Sequence, residues 1–93
     1  MPSNHSRYVD QIFKYVKDNY VHSSKTEIPL DKSLVEIGLL DSYAVVELVG
    51  FLELNFRISI PDDHITKDNL GSINKMASYV AMRLEDRGAR ENL

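Results

Sequence analysis

Apolar residues recur at helical spacing in three separate stretches of this sequence, and this repeat constrains the fold more than any other feature. Each stretch follows the i, i+3, i+4, i+7 pattern of one helix face. We predict helices over residues 6–20 and 42–55, and a last helix that starts after Ser72 and frays beyond Glu85. The three faces consist of Val9, Ile12, Phe13, Val16 and Tyr20; of Val45, Leu48, Val49, Leu52 and Phe56; and of Ile73, Met76, Ala77, Val80 and Leu84.

A connection of residues 21–41 separates the first two predicted helices, and it is long for a small domain. Ser33 and Glu36 have capping-box spacing, which predicts a single helical turn there. Gly38 permits a sharp turn of the backbone because it has no side chain. We expect apolar side chains to pin the connection to the core, namely Leu34, Ile37 and one of Leu39 or Leu40.

The segment after the second helix predicts short elements without a sheet. Residues 58–60 alternate as a strand does, but Pro61 follows at once, so we interpret them as extended linker. Residues 62–65 predict one or two helical turns that begin with acids, and residues 67–69 predict a polar loop. Gly88 is predicted to break the last helix. The fold class is therefore all-α: a small four-helix bundle with three main helices and one short helix.

Size and composition limit the classes of protein to which the chain can belong. Its 93 residues predict one domain, with a folded core over about 6–86 and a frayed tail over 87–93. The absence of cysteine excludes a disulfide framework and a thiolate metal site. A net charge of −3 argues against nucleic acid as a partner, and no apolar run is long enough for a membrane span. We expect a monomeric, cytoplasmic protein without membrane insertion.

Asp41 and Ser42 stand where the connection meets the second predicted helix. Asp41 has a side-chain oxygen suited to capping the free N–H groups of that helix. Ser42 then lies in or beside the first turn, at the positive end of the helix dipole, where a phosphate group is readily accommodated. A serine at this place can carry a phosphodiester without a deep pocket.

Catalysis by Ser42 is a poorer interpretation of the same residues. The stretch contains no G-x-S-x-G elbow, and the histidines His5, His22 and His64 are scattered through the sequence. Asp62, Asp63 and His64 are consecutive, so they do not all point one way on a helix, and a helix start is favoured over a metal site. We therefore expect no catalytic residues and no metal.

The turn before the second helix resembles the acyl carrier protein family, which presents G-x-[LM]-D-S-[LM] before an apolar helix. The resemblance covers roughly residues 6–85, and Tyr43 stands where the family usually has Leu or Met. The residues that match the turn are Gly38, Leu40, Asp41 and Ser42.

The resemblance implies a cofactor, partners and a role. Ser42 would receive 4'-phosphopantetheine from coenzyme A through a phosphopantetheinyl transferase, and Asp41 would hold the turn and help the transferase recognise it. The protein would be no enzyme. It would carry acyl intermediates as thioesters between acyl-loading, acyl-transfer or ketosynthase-type enzymes of fatty acid, polyketide or specialised lipid biosynthesis.

The same resemblance implies a partner surface on the second helix, because partner enzymes of the family dock there. Few of the residues on that side are acidic, so we expect docking to depend more on apolar contact than on ion pairs. The alternative is that they pack beneath the long connection. The candidates are Tyr43, Ala44, Val46, Glu47, Gly50, Glu53 and Leu54.

A pocket for the acyl chain between the helices is a further implication of the resemblance. Each buried methylene contributes about 0.8 kcal/mol, so even a short chain gains by entering. Ordinary core packing is an equally good interpretation of each candidate. The candidates are Val46, Leu48, Phe51, Ile60, Ile65 and Met76.

Two alternatives to an acyl carrier stay open at this point. An aminoacyl, peptidyl or D-alanyl carrier would keep the arm and change the cargo. Peptidyl carriers usually show Gly-Gly-x-Ser before the helix, whereas this chain has Leu39-Leu40-Asp41-Ser42, which favours acyl cargo. The second alternative is an unmodified helical interaction module, in which Asp41 and Ser42 serve only as a helix cap.

Overall fold

The three apolar repeats form the three long helices of the structure. The computed structural model describes the backbone of residues 4–91 and the side chains of residues 4–86. That range contains no strand, so the all-α prediction is confirmed. The elements are α1 (Asn4–Tyr20), α2 (Ser42–Phe56), a 3-10 helix (Asp62–His64), α3 (Lys67–Leu70) and α4 (Ile73–Glu91). No helix within the described range is both long and apolar enough to cross a membrane.

The hydrophobic core lies where α1, α2 and α4 meet. Ile12 of α1, Leu52 of α2 and Val80 of α4 are among its fully buried side chains. Full burial of an aliphatic side chain contributes about 1.5–3 kcal/mol, so a few such residues account for much of the stability of a small domain. The outer members of the predicted faces are half-buried against this core, namely Val9, Phe13, Tyr20, Val45 and Leu84.

The long connection is tied to the core through Leu34, whose side chain is fully buried. Its N–H donates to the carbonyl of Gly71 at 3.0 Å, and its own carbonyl accepts the N–H groups of Leu39 and Leu40. Leu40 is buried as well, so the prediction that Leu34 and Leu40 anchor the connection is confirmed. The prediction for Ile37 is wrong, because 47% of that residue is exposed.

A single helical turn does form between Ser33 and Gly38, as the capping-box spacing predicts. The Glu36 N–H donates to Ser33 Oγ at 3.3 Å, and the Ile37 N–H donates to the Ser33 carbonyl at 3.1 Å. The turn points Ile37 away from the core while Leu34, three residues earlier, points into it. The turn ends at Gly38, which has a φ of +80° that side chains of other residues rarely allow.

Two elements differ from their predictions. Residues 67–70 form the short helix α3 instead of a loop, because Thr66 caps it by accepting the Asn69 N–H at 3.2 Å and Leu70 is buried. The break predicted at Gly88 is also wrong, since the backbone of α4 continues to Glu91. A glycine costs a helix only about 1 kcal/mol relative to alanine, which is too little to end it alone. The last two residues of the predicted tail lie outside the described range.

We expect Leu34→Ala to lower the free energy of unfolding by about 2–5 kcal/mol, because it leaves a cavity beneath the connection. Ile37→Ala, three residues away in the same turn, is the matched control and should cost no more than about 0.5 kcal/mol, since its side chain is half-exposed. Urea unfolding followed by circular dichroism measures both. Equal losses would contradict the proposed anchoring role of Leu34.

Candidate functional site

Asp41 caps α2, as its position in the sequence predicts. Its backbone is extended, with a φ of −103° and a ψ of −176°, and its Oδ1 accepts the N–H of Ala44 at 2.9 Å. The Asp41 carbonyl accepts the N–H of Val45 at 3.0 Å, which is the first backbone bond of the helix. The carboxylate therefore does the capping, and the neighbouring hydroxyl of Ser42 is not needed for it.

Ser42 is the first residue of α2, and its side chain is exposed. Two features of the connection bring it there: the left-handed turn at Gly38 and the buried side chain of Leu40, two residues before Ser42. The chain passes from the core at Leu40 to the surface at Asp41, and the helix then starts. An incoming enzyme can thus reach the hydroxyl without any rearrangement of the helices.

The electrostatics at Ser42 suit an attached phosphate. The backbone N–H groups of Ser42 and Tyr43 have no partner within the helix, because intrahelical bonding begins with Val45 and Asp41 takes the N–H of Ala44. These N–H groups and the helix dipole place partial positive charge beside Oγ. The Asp41 carboxylate opposes this field in part. The arrangement can hold an anionic group at the start of α2.

The start of α2 is fixed to the end of α1 by Tyr20. The Tyr20 hydroxyl donates to the carbonyl of Ala44 at 3.5 Å and lies 3.4 Å from the hydroxyl of Tyr15. Burial raises the pKa of Tyr20 above its ordinary value, and the hydrogen bond with Tyr15 raises it further. Its hydroxyl therefore stays protonated, and remains a donor to the Ala44 carbonyl, further into alkaline pH than an ordinary tyrosine.

The predicted partner surface on α2 divides into exposed and covered residues. Tyr43, Val46 and Leu54 are 84%, 70% and 85% exposed, and Glu47 is exposed between them. Gly50 and Glu53 are half-buried, and a carboxylate oxygen of Glu53 accepts the Ile60 N–H at 3.1 Å.

Ala44 does not lie on the exposed side of α2, so its prediction as a surface residue is wrong. Only 6% of Ala44 is exposed. It precedes Leu48 by four residues and Leu52 by eight, and such residues line one face of a helix. That face is the buried one in this structure.

Two of the six predicted pocket residues line a common cavity. Leu48 and Met76 are among the residues around an apolar cavity of about 20 Å³. None of the other residues around this cavity was predicted to line a pocket. They are Leu34, Val35, Leu40, Val45, Val49, Leu52, Leu70 and Gly71.

The other four predicted pocket residues lie elsewhere. Val46 is exposed on α2, and Ile65 is exposed beyond the 3-10 helix. Ile60 is buried in the core but does not line this cavity. Phe51 stacks on Tyr15 of α1, with ring centroids 4.0 Å apart, so its ring is engaged between two helices.

His64 has a hydrogen-bond partner on α4. Its Nδ1 lies 2.8 Å from the hydroxyl of Tyr79, which joins the 3-10 helix to α4. Burial raises the pKa of Tyr79 above its ordinary value, so its hydroxyl stays protonated further into alkaline pH. The described part of the chain contains no group of three or more side chains suited to a metal ion.

Comparison with known proteins gives the family. No family model matches the chain. An acyl carrier protein of Clostridium acetobutylicum is 30% identical to it over 78 residues, which cover 81% of this chain and 99% of that protein. The chain belongs to the acyl carrier protein family.

Other relatives in this family are D-alanyl carrier proteins. That of Streptococcus suis is 35% identical over 51 residues, and that of Lactococcus lactis subsp. cremoris is 33% identical over 57 residues. These matches cover 55% and 61% of this chain. They span about 65% of the streptococcal protein and 72% of the lactococcal one. The predicted family and fold class are thus confirmed, and the family includes carriers of two differently named kinds.

The Asp41 cap gives a prediction for stability. Asp41→Ala should lower the free energy of unfolding by about 0.5–2 kcal/mol, because the N–H of Ala44 loses its acceptor. Asp41→Asn is the matched variant and should cost much less, since asparagine caps helices about as well as aspartate. Urea unfolding at neutral pH separates the two. If Asp41→Asn lowers the free energy of unfolding as much as Asp41→Ala does, the carboxylate acts through its charge and not as a cap.

Proposed function

We propose that this chain is a non-catalytic carrier protein that bears 4'-phosphopantetheine on the Oγ of Ser42. The observation that carries the proposal is the exposed hydroxyl at the first residue of α2, next to a cap supplied by a different residue. Membership of the acyl carrier protein family supports it. When bound, the group supplies a terminal thiol that holds cargo as a thioester. The chain has no thiol of its own, because it contains no cysteine.

Attachment is a phosphoryl transfer from coenzyme A, catalysed by a separate phosphopantetheinyl transferase. Ser42 Oγ forms a new P–O bond with the phosphorus next to the pantetheine. The bond from that phosphorus to the bridging oxygen of the pyrophosphate breaks, and adenosine 3',5'-bisphosphate leaves. The hydroxyl proton passes to a base of the transferase or to water. The chain contributes the accessible hydroxyl and the partial positive charge of its helix end.

Asp41 contributes to this step through geometry. By accepting the Ala44 N–H at 2.9 Å it holds the first turn of α2, and so it fixes where Oγ is presented. Its charge repels the phosphodiester that forms beside it, so we assign it a positioning role in the turn and in recognition by the transferase, and no role in bond making.

The exposed residues of α2 form the surface on which we propose that enzymes dock. One side of the helix carries these exposed residues, because their spacings of three, one and seven positions keep them on one face. They are Tyr43, Val46, Glu47 and Leu54, and Gly50 lies between Glu47 and Leu54. Three of these four side chains are apolar, and α2 contains no basic residue. Docking should therefore depend on apolar contact, with Glu47 available to a basic residue of the partner.

This surface gives a kinetic prediction. Val46→Ala should lower the kcat/KM of the transferase by about fivefold to tenfold, because truncating a desolvated apolar contact costs on the order of 1 kcal/mol. Lys14→Ala on α1 is the control and should leave the rate unchanged, since that lysine pairs with Asp18 on the solvent side of α1. Equal kcat/KM values for Val46→Ala and wild type would show that Val46 is not part of the docking surface.

The identity of the attached group is tested by mass. Incubation of the wild type with coenzyme A and a broad-specificity transferase should add the mass of one phosphopantetheinyl group. Ser42→Ala should gain nothing, whereas Ser59→Ala, which removes another exposed serine, should behave as wild type. No gain by wild type, or a gain by Ser42→Ala, would refute the proposal and favour an unmodified helical module.

A D-alanyl carrier is the second candidate, because the relatives with that name are 33–35% identical to this chain. In that case the thiol would hold an amino acid in place of a fatty or polyketide acyl group. Purification from the native host, followed by intact-mass measurement before and after thioester cleavage with hydroxylamine, separates the two candidates. A mass loss equal to an alanyl residue favours the second, and the loss of an acyl group without nitrogen favours the first.

A further inference from the structure

Two seams flank α2, and a chain that enters the bundle beside this helix passes through one of them. The first lies between α2 and α1. Tyr15 and Phe51 stack across it with ring planes 17° apart, and Tyr8 and Phe56 meet edge to face with centroids 5.3 Å apart. At the Ser42 end the hydroxyl of Tyr20 contacts the Ala44 carbonyl. The first seam is thus filled with aromatic rings.

The second seam lies between α2, the connection and α4, and it contains the cavity of about 20 Å³. A single water needs about 10–15 Å³, whereas pockets for small ligands run to hundreds of Å³. The side chains of Leu34, Leu40, Leu48 and Met76, each no more than 4% exposed, occupy the remaining space. The seam therefore has room for about one methyl group.

Hydrogen bonds hold the second seam closed. The Leu34 N–H donates to Gly71 at 3.0 Å, which joins the connection to the start of α4. Lys67 of α3 pairs with Glu36 of the connection as well. To admit a longer chain, the connection would have to move outward and break these contacts. The half-buried Val45 and the half-exposed Val35 mark where the cavity reaches the surface.

The wider grooves of the surface do not replace these seams. The groove between α1 and residues 21–28 has a volume of about 720 Å³, and its lining mixes the apolar Phe13, Val21 and Ile28 with polar side chains such as Lys17 and His22. This groove is open to solvent, so a chain lying in it would keep part of its surface in water and would gain less than by full burial between helices.

We propose that this carrier presents its cargo to solvent instead of burying it between its helices, so that its cargo class is a small acyl or aminoacyl group. The inference rests on the proposed function of Ser42. It follows from two closed seams: rings fill one, and the cavity in the other has room for about one methyl group. A group of acetyl or alanyl size has almost no methylenes to bury, so it loses little hydrophobic free energy by staying in solvent. A medium or long chain would leave many methylenes in water.

Chain length provides the test. A broad-specificity transferase mounts the acylated arm in one step from acetyl-CoA or from octanoyl-CoA, and intact mass confirms each product. We expect the acetyl and octanoyl forms to melt within about 1 °C of each other, since burial would raise the midpoint by roughly 3–6 °C per methylene. An octanoyl form that melts many degrees above the acetyl form would overturn the inference.

A variant that opens the second seam completes the test. In Met76→Ala the octanoyl form should melt several degrees above the acetyl form of the same variant, because the lost side chain leaves space in the seam. Ser78→Ala, on the exposed side of the same helix, is the matched control and should show no difference. If Met76→Ala does not fold, Val45→Ala at the mouth of the cavity replaces it. If the variant that folds shows no chain-length effect, the closed cavity is not what excludes the chain, and the inference is wrong.

The outcomes separate this inference from the proposed function. No mass gain with either acyl-CoA would refute the role of Ser42, and the cargo inference would fail with it. A mass gain at Ser42 with melting that depends on chain length would leave the carrier role standing and overturn only the inference about cargo.

Discussion

The burial of Leu34 is the interaction on which the rest of the structure depends. A connection of about twenty residues without a helix of its own would otherwise leave the start of α2 poorly defined. The Leu34 side chain fills the core, and its N–H is bonded to the carbonyl of Gly71 between α3 and α4. Gly71 has to be a glycine here, because a Cβ at this position would collide with the Lys67 carbonyl oxygen.

The presentation of Ser42 follows from that anchor. Leu34 accepts the N–H groups of Leu39 and Leu40 at its carbonyl, so the chain leaves the core at a defined point. Asp41 then starts the helix, and Ser42 comes to the surface beside its first N–H groups. Each step is local, but together they place an exposed hydroxyl at the first residue of α2. The same tight packing that fixes the hydroxyl also closes the seam through which cargo would enter.

The two sides of α2 show how much periodicity alone predicts. Leu48, Val49, Leu52 and Phe56 are buried as the helical repeat requires, because a regular helix places them on one side. Ala44 was assigned to the surface by resemblance, yet it continues the buried line of Leu48 at a distance of four residues. Val46 and Leu54 are apolar, but they lie off that face of the helix, and both are exposed. Their exposure is what makes this side of α2 available to another protein.

Local chemistry in the sequence was sufficient for the three long helices, the turn at Gly38, the Asp41 cap and the position of Ser42 at the start of α2, since each depends on residues a few positions apart. The tertiary structure alone decided that Ile37 faces solvent, that α3 forms beneath the connection and that Phe51 stacks on Tyr15. It also decided that the cavity beside Met76 is small. These features depend on which distant segments meet, and the space that remains between packed side chains is a property of all of them together.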